Sequence, residues 1–122
     1  MDTVGGWMSE IRGFYGLQST TPVSASAQAL WNYLMYRANA AWWAMPLIIR
    51  NAELEGALGL KPWAFKEARR ELVEAKFLLV EAQGGSRPSK YFLLSCVRPG
   101  AVMAPSMSFK GLGKKEGQEG QG

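Results

Sequence analysis

Apolar residues recur at helical spacing through the first half of the chain and then give way to short apolar runs. Between residues 7 and 17, Trp7, Met8, Ile11, Phe14 and Tyr15 line one side of a helix, although Gly13 and Gly16 weaken it. Residues 18–24 are rich in Ser, Thr and Pro and predict a loop, with Ser24 or Ser26 as the N-cap of the next helix. Over residues 25–42, Ala27, Leu30, Trp31, Leu34, Met35, Ala38 and Trp42 form one broad apolar face, which predicts a central core helix. On this reading Trp42 continues the core stripe, and Trp43 either packs in the core or at a hinge or stands exposed as a contact.

The next segments change period. Leu47-Ile48-Ile49, after Pro46, is too short for a helix and rich in β-branched residues, so it predicts a small strand. Asn51 reads as the cap of a short helix over Ala52–Leu58 that stops near Gly59, with Leu54 and Leu58 facing the core. Pro62 suits the first position of a helix, where a missing N–H is no loss, and the helical pattern then runs to Lys76. Two helices across the turn Gly59-Leu60-Lys61 make a helix-turn-helix arrangement. Phe77–Val80, the turn Gly84-Gly85-Ser86-Arg87-Pro88 and Tyr91–Leu94 predict a β-hairpin.

The expected fold class is therefore mainly α with a small β-hairpin (α+β): a winged helix-turn-helix preceded by an N-terminal helix. The expected divisions are a helical arm and loop at 1–23, the winged domain at 24–98, and a polar low-complexity tail or linker at 99–122.

Placing successive residues of the second helix about 100° apart sorts its faces. Phe65, Ala68, Leu72 and Ala75 face the core, with the stem of Lys76 at the margin. Lys66, Arg70 and, nearer the core, Arg69 form a basic flank; Glu67, Glu71 and Glu74 form an acidic one; Trp63 lies between them at the N-terminal end. One reading aims the basic flank at phosphates or base edges. The other is a solvated amphipathic helix laced by pairs such as Arg70 with Glu74. The hairpin tip tilts the balance, because Ser86, Arg87 and Lys90 could all contact phosphate there; its plainer reading is a simple connection. The central expectation is that Lys66, Arg69 and Arg70 project into solvent on the same side as the tip and make one positive surface.

Charge distribution supports the same segment. Residues 1–60 carry three basic and four acidic side chains, whereas residues 61–98 carry eight basic and four acidic. The whole-chain charge of +4 is a mild bias. The chain has no histidine and a single cysteine, Cys96, which reads as a small core hydrophobe. Zinc sites built from Cys and His, histidine acid–base catalysis and an internal disulfide are thereby excluded, and a reducing cytoplasm fits. Met1-Asp2-Thr3 lacks the basic start of a signal peptide, and no apolar run reaches the ~18 residues of a membrane span. No nucleophile–base pair, metal cluster or phosphate loop appears, so the expectation is a protein without catalytic activity or cofactor.

The stretch from Phe14-Tyr15 to Leu94 resembles the N-terminal winged-helix domain of DnaD-like replication initiation proteins, including phage replisome organisers. The resemblance rests on Phe14-Tyr15, the box Ser26-Ala27-Gln28-Ala29-Leu30-Trp31 with Leu34, Asn39, a tryptophan at 42 or 43, and the strand at 47–49. It continues in Leu54, Leu58-Gly59-Leu60, the box Ala68-Arg69-Arg70-Glu71-Leu72, Phe77 and Tyr91. It implies a role in DNA replication initiation, in a helicase-loading or origin-remodelling setting, with the domain self-associating. Members of that family commonly carry a second, C-terminal helical domain; here a Gly/Gln/Lys tail comes instead, and Lys61-Pro62-Trp63 replaces the usual Ser/Thr start of the recognition helix.

Two classes of function are expected. In the first, Lys61, Trp63, Lys66, Arg69, Arg70, Ser86, Arg87 and Lys90 contact double-stranded DNA with low specificity. In the second, the chain is an oligomerisation scaffold without DNA contact, assembled through Trp7, Ile11, Phe14 and Tyr15. A winged-helix transcriptional regulator shares the architecture. The replicative helicase or its loader is a further expected partner.

Overall fold

The computed structural model describes residues 6–84 and 86–105. The elements run α1 (Trp7–Gly16), a tight turn at Leu17–Ser19, α2 (Ala25–Ala40), β1 (Leu47–Ile49), α3 (Asn51–Leu58), α4 (Pro62–Glu74), β2 (Leu78–Glu81) and β3 (Ser89–Leu93). The strands form one antiparallel sheet in the order β1-β3-β2. Helix, strand, helix, helix and hairpin in that order give the α+β winged-helix layout, with α4 in the position of the recognition helix and the β2–β3 hairpin as the wing. Among the described residues no helix is long and apolar enough to cross a membrane.

Local chemistry explains most boundaries. Ser24 caps α2, its Oγ accepting from the Ala27 N–H. The same residue donates its N–H and Oγ–H to the Glu71 carboxylate, each at 2.7 Å, which pins the start of α2 to the side of α4. Glu71 thus stands on a structural bond rather than on a free acidic flank. Gly59 ends α3 in the left-handed region at φ 67°, the conformation that a side chain resists. Pro62 opens α4. Asn51 is the first residue of α3 and not its cap; the capping position is Arg50, which makes no side-chain cap bond. Lys76 lies beyond the end of α4 at φ 69°, exposed and off the core face.

The core sits between α2, α4 and the inner face of the sheet. In β3, Ser89, Tyr91 and Leu93 point inward, as the two-residue strand period requires. Leu30, Trp31, Leu34 and Ala38 of α2 meet Phe65, Ala68 and Leu72 of α4. Trp42 departs from the core stripe that periodicity gave it, at 67% exposed, whereas Trp43 takes the core alternative, at 1% exposed. The helix ends at Ala40, and both tryptophans adopt positive φ, 55° and 62°. That turn swings the second indole inward, where the Trp43 backbone N–H donates to the Ala38 carbonyl at 2.8 Å.

The N-terminal helix is part of this core, not an arm attached to it. Phe14 is fully buried, stacked on Trp31 with ring centroids 3.9 Å apart and planes 6° from parallel, and meets Phe77 edge-on at 4.8 Å. Phe14 is therefore unavailable as an oligomer contact, and Ile11 packs half-buried beside it. Glu10 is buried as well, accepting from Ser95 Oγ and from the Cys96 N–H at 2.6 Å. A Cβ at Gly13 would lie 3.0 Å from Cys96 Cβ, so the glycine allows α1 to approach this closely. Burial, with the Glu10 charge nearby, pushes the Cys96 thiol up to about 12, so it stays protonated and unreactive at neutral pH. The ordered pattern also outlasts Pro99. Leu94 bridges to Val102, the Met103 N–H donates to Leu93 O at 2.9 Å, and Met103 is buried. The expected tail beyond Pro105 and the first five residues lie outside the described residues.

Phe14→Ala removes the ring that joins α1 to both Trp31 and Phe77, and should cost about 3–5 kcal/mol of stability. Urea unfolding measures it as a lowered midpoint with unchanged slope. A loss below about 1 kcal/mol, typical of an exposed position, would mean that α1 is a detachable arm.

Candidate nucleic-acid interface

The sequence-predicted cations fall into three groups. Arg69 turns back into the fold. Its Nη1 donates to the Tyr91 hydroxyl at 2.9 Å and to Asn51 Oδ1 at 3.1 Å, and its guanidinium lies 5.0 Å from the Phe65 ring centroid. It joins α4, α3 and β3 and does not project outward with its neighbours. The reason is angular: Arg69 sits next to Phe65 on the helix surface, at the edge of the buried stripe. Burial raises the Tyr91 phenol above its ordinary range, and the Arg69 hydrogen bond opposes that rise.

Arg70 does face solvent, but between two carboxylates. It pairs with Glu67 one turn earlier and with Glu74 one turn later, the latter at 2.6 Å. The hydrogen bond from Arg70 lowers the Glu67 carboxyl, and those to Glu67 and Glu74 raise the guanidinium. All three groups are about half exposed, so these pairs add little stability. Their effect is on the field: the outer stripe of α4 presents Lys66 and Arg70 against Glu67 and Glu74, a net charge of zero. Trp63 stands on the same stripe, 74% exposed. The single positive surface expected from Lys66, Arg69 and Arg70 is therefore not what the fold makes.

The third group keeps its charge. Lys61 and Lys66 are exposed and form no ion pair among the described residues. Arg87 is exposed on the wing, its Nη2 donating only to the Gln83 carbonyl, at 3.4 Å. Lys90 lies half-buried on β3, across from Ile48 on one side and Glu81 on the other. Ser86 offers its carbonyl rather than its hydroxyl, and Arg50 Nη1 donates to that oxygen at 2.6 Å.

Arg50 was not singled out by the sequence. It comes after a three-residue strand, outside any helical stripe, and nothing local marks it. A bond spanning 36 residues brings it to the wing. With Asn51, Ala52, Glu55, Ser86 and Arg87 it lines an open depression of about 290 Å³. A second, shallower one of about 400 Å³ adjoins it along α3, sharing Ala52 and Glu55 and reaching Lys61 and Pro62.

Trp7 and Tyr15 of the expected oligomer contacts stay partly exposed, together with Met8, although the Tyr15 hydroxyl accepts from Asn32 Nδ2 of α2 at 2.8 Å. Among the described residues no cluster of three or more His, Cys, Asp or Glu could hold a metal ion. Comparison with known proteins adds no identification: no family model, no curated protein and no solved structure matches this chain.

The Arg69 bridge carries a stability prediction. Arg69→Met removes hydrogen bonds from a charged donor and should cost about 1–3 kcal/mol. Tyr91→Phe should cost less, and the double variant should fall short of the sum, because the two share one bond. Additive losses in urea unfolding would show that the two side chains do not act together.

Proposed function

We propose that this protein is a nucleic-acid-binding winged-helix module that engages double-stranded DNA with little sequence preference, in the setting of DNA replication initiation. The observation that carries the binding reading is a group of four exposed cations that have no carboxylate partner among the described residues, Lys61, Lys66, Arg50 and Arg87, standing on α4, the residues before α3 and α4, and the wing. Phosphate contacts supply charge-dependent affinity without reading bases. Low specificity is expected from Arg69 and Arg70, the two arginines on α4: one is held inside the fold and the other is neutralised by its neighbours. The replication setting, and a helicase or its loader as partner, rest on the resemblance of the Ala27–Trp31 and Ala68–Leu72 boxes to DnaD-like proteins. A cytoplasmic location is part of the same reading, supported by the single protonated Cys96.

Self-association is the second reading, and Trp7, Met8 and Tyr15 favour it. Three large apolar side chains stay 43–50% exposed on α1, beside the buried Phe14. The two readings are compatible, because α1 and the free cations belong to different elements.

One titration tests both: a DNA duplex against the protein at several salt concentrations, with mass read by sedimentation. The expected result is a linear fall of log affinity with log salt, by about 0.9 per phosphate contacted, and a protein mass above that of one chain. No binding at low salt by a protein that still assembles would leave the scaffold reading alone.

A further inference from the structure

The two adjoining depressions share Ala52 and Glu55 and together make a trough along the outer side of α3, from the wing to the start of α4. Arg50 and Arg87 stand at one end and Lys61 at the other, with Glu55 as the one carboxylate among the lining residues. The trough is therefore +2, whereas the outer stripe of α4 is neutral. Glu53, the acid in the first turn of α3, is paired with Arg37 of α2.

Shape agrees with charge. Ala52, Gly56 and Gly59 line the trough, and a Cβ built at Gly56 or Gly59 meets no atom within 4 Å. The floor is thus clear of large side chains, which leaves room for a chain of linked phosphates. Both arginines donate to carbonyl oxygens rather than to carboxylates, Arg50 to Ser86 O and Arg87 to Gln83 O.

We propose that one strand of duplex DNA lays its phosphodiester backbone in this trough, with Arg50 and Arg87 as the principal phosphate contacts and Lys61 at the far end. This rests on the DNA-binding reading and moves the contact from the outer stripe of α4, where sequence placed it, to the side formed by α3 and the wing. Glu55 weakens the contact, and α4 serves to hold the surface in place through Arg69.

The test measures affinity of the full chain for a labelled DNA duplex in four variants. Arg50→Gln with Arg87→Gln should weaken binding by about tenfold or more and flatten the salt slope by about 2, since each lost phosphate contact removes about 0.9. Glu55→Gln should tighten binding several-fold. Gly56→Leu, which improves helix propensity and so preserves the fold, should weaken binding by filling the floor. Lys66→Gln with Arg70→Gln should weaken binding less than the Arg50 and Arg87 pair does, since Arg70 is already paired with Glu67 and Glu74 and only Lys66 is free to meet a phosphate. Should the Lys66 and Arg70 variant lose binding while the Arg50/Arg87, Glu55 and Gly56 variants keep wild-type affinity, the trough is not the contact, although the protein still binds DNA. If the unaltered chain does not bind the duplex, the DNA-binding reading and this inference fall together.

Discussion

The hydrogen bonds of one guanidinium set the geometry on which the rest depends. Arg69 leaves α4, crosses the edge of Phe65 and donates to Tyr91 on β3 and to Asn51 at the start of α3. A half-buried cation that satisfies two acceptors at once tolerates little displacement, because a charged donor left without partners is costly. Those two acceptors sit on the elements that carry the wing and the trough. The position of Arg50 beside the wing, and hence the charge at that end of the molecule, depends on that bridge and on the Arg50 bond to Ser86.

The opposite side of the fold is fixed by a different kind of contact. Phe14 stacks on Trp31, and Glu10 accepts from the segment after β3. Glu71 holds the start of α2 in the same manner, by taking both protons that Ser24 can offer. Long-range hydrogen bonds to the Glu10 and Glu71 carboxylates thus lock the helices at two places. α1 shows the division clearly: Glu10 and Phe14 are buried, while Trp7 and Met8 near its start stay exposed.

Element order and type were legible in the sequence because they depend on local signals: the period of apolar residues, Ser24 as a cap, Gly59 and Pro62 at the turn, and glycines in the wing. The errors all involve information that period cannot carry. Trp42 leaves the core stripe because two residues at positive φ break the helical register. Phe14 belongs to the core because α1 packs on Trp31, and a stripe of exposed-looking aromatics does not say what it meets. Arg69 and Arg70 are adjacent in sequence and about 100° apart on the helix, and that rotation separates a structural residue from a solvated one. Arg50 carried no signal at all, since its importance comes from a partner in the wing.

Charge, in this account, works by what is left over after the fold has used its share. Arg37 and Arg70 have carboxylate partners, and Arg69 is held by the core edge. Among the cations that remain, Arg50, Lys61 and Arg87 stand together around α3. The most direct measurement is an amide chemical-shift map of isotope-labelled protein titrated with a short DNA duplex. The account predicts that the largest changes fall at residues 50–61 and 86–90, with α1 unmoved. Changes confined to residues 7–17, or centred on 66–74 with residues 50–61 silent, would contradict it.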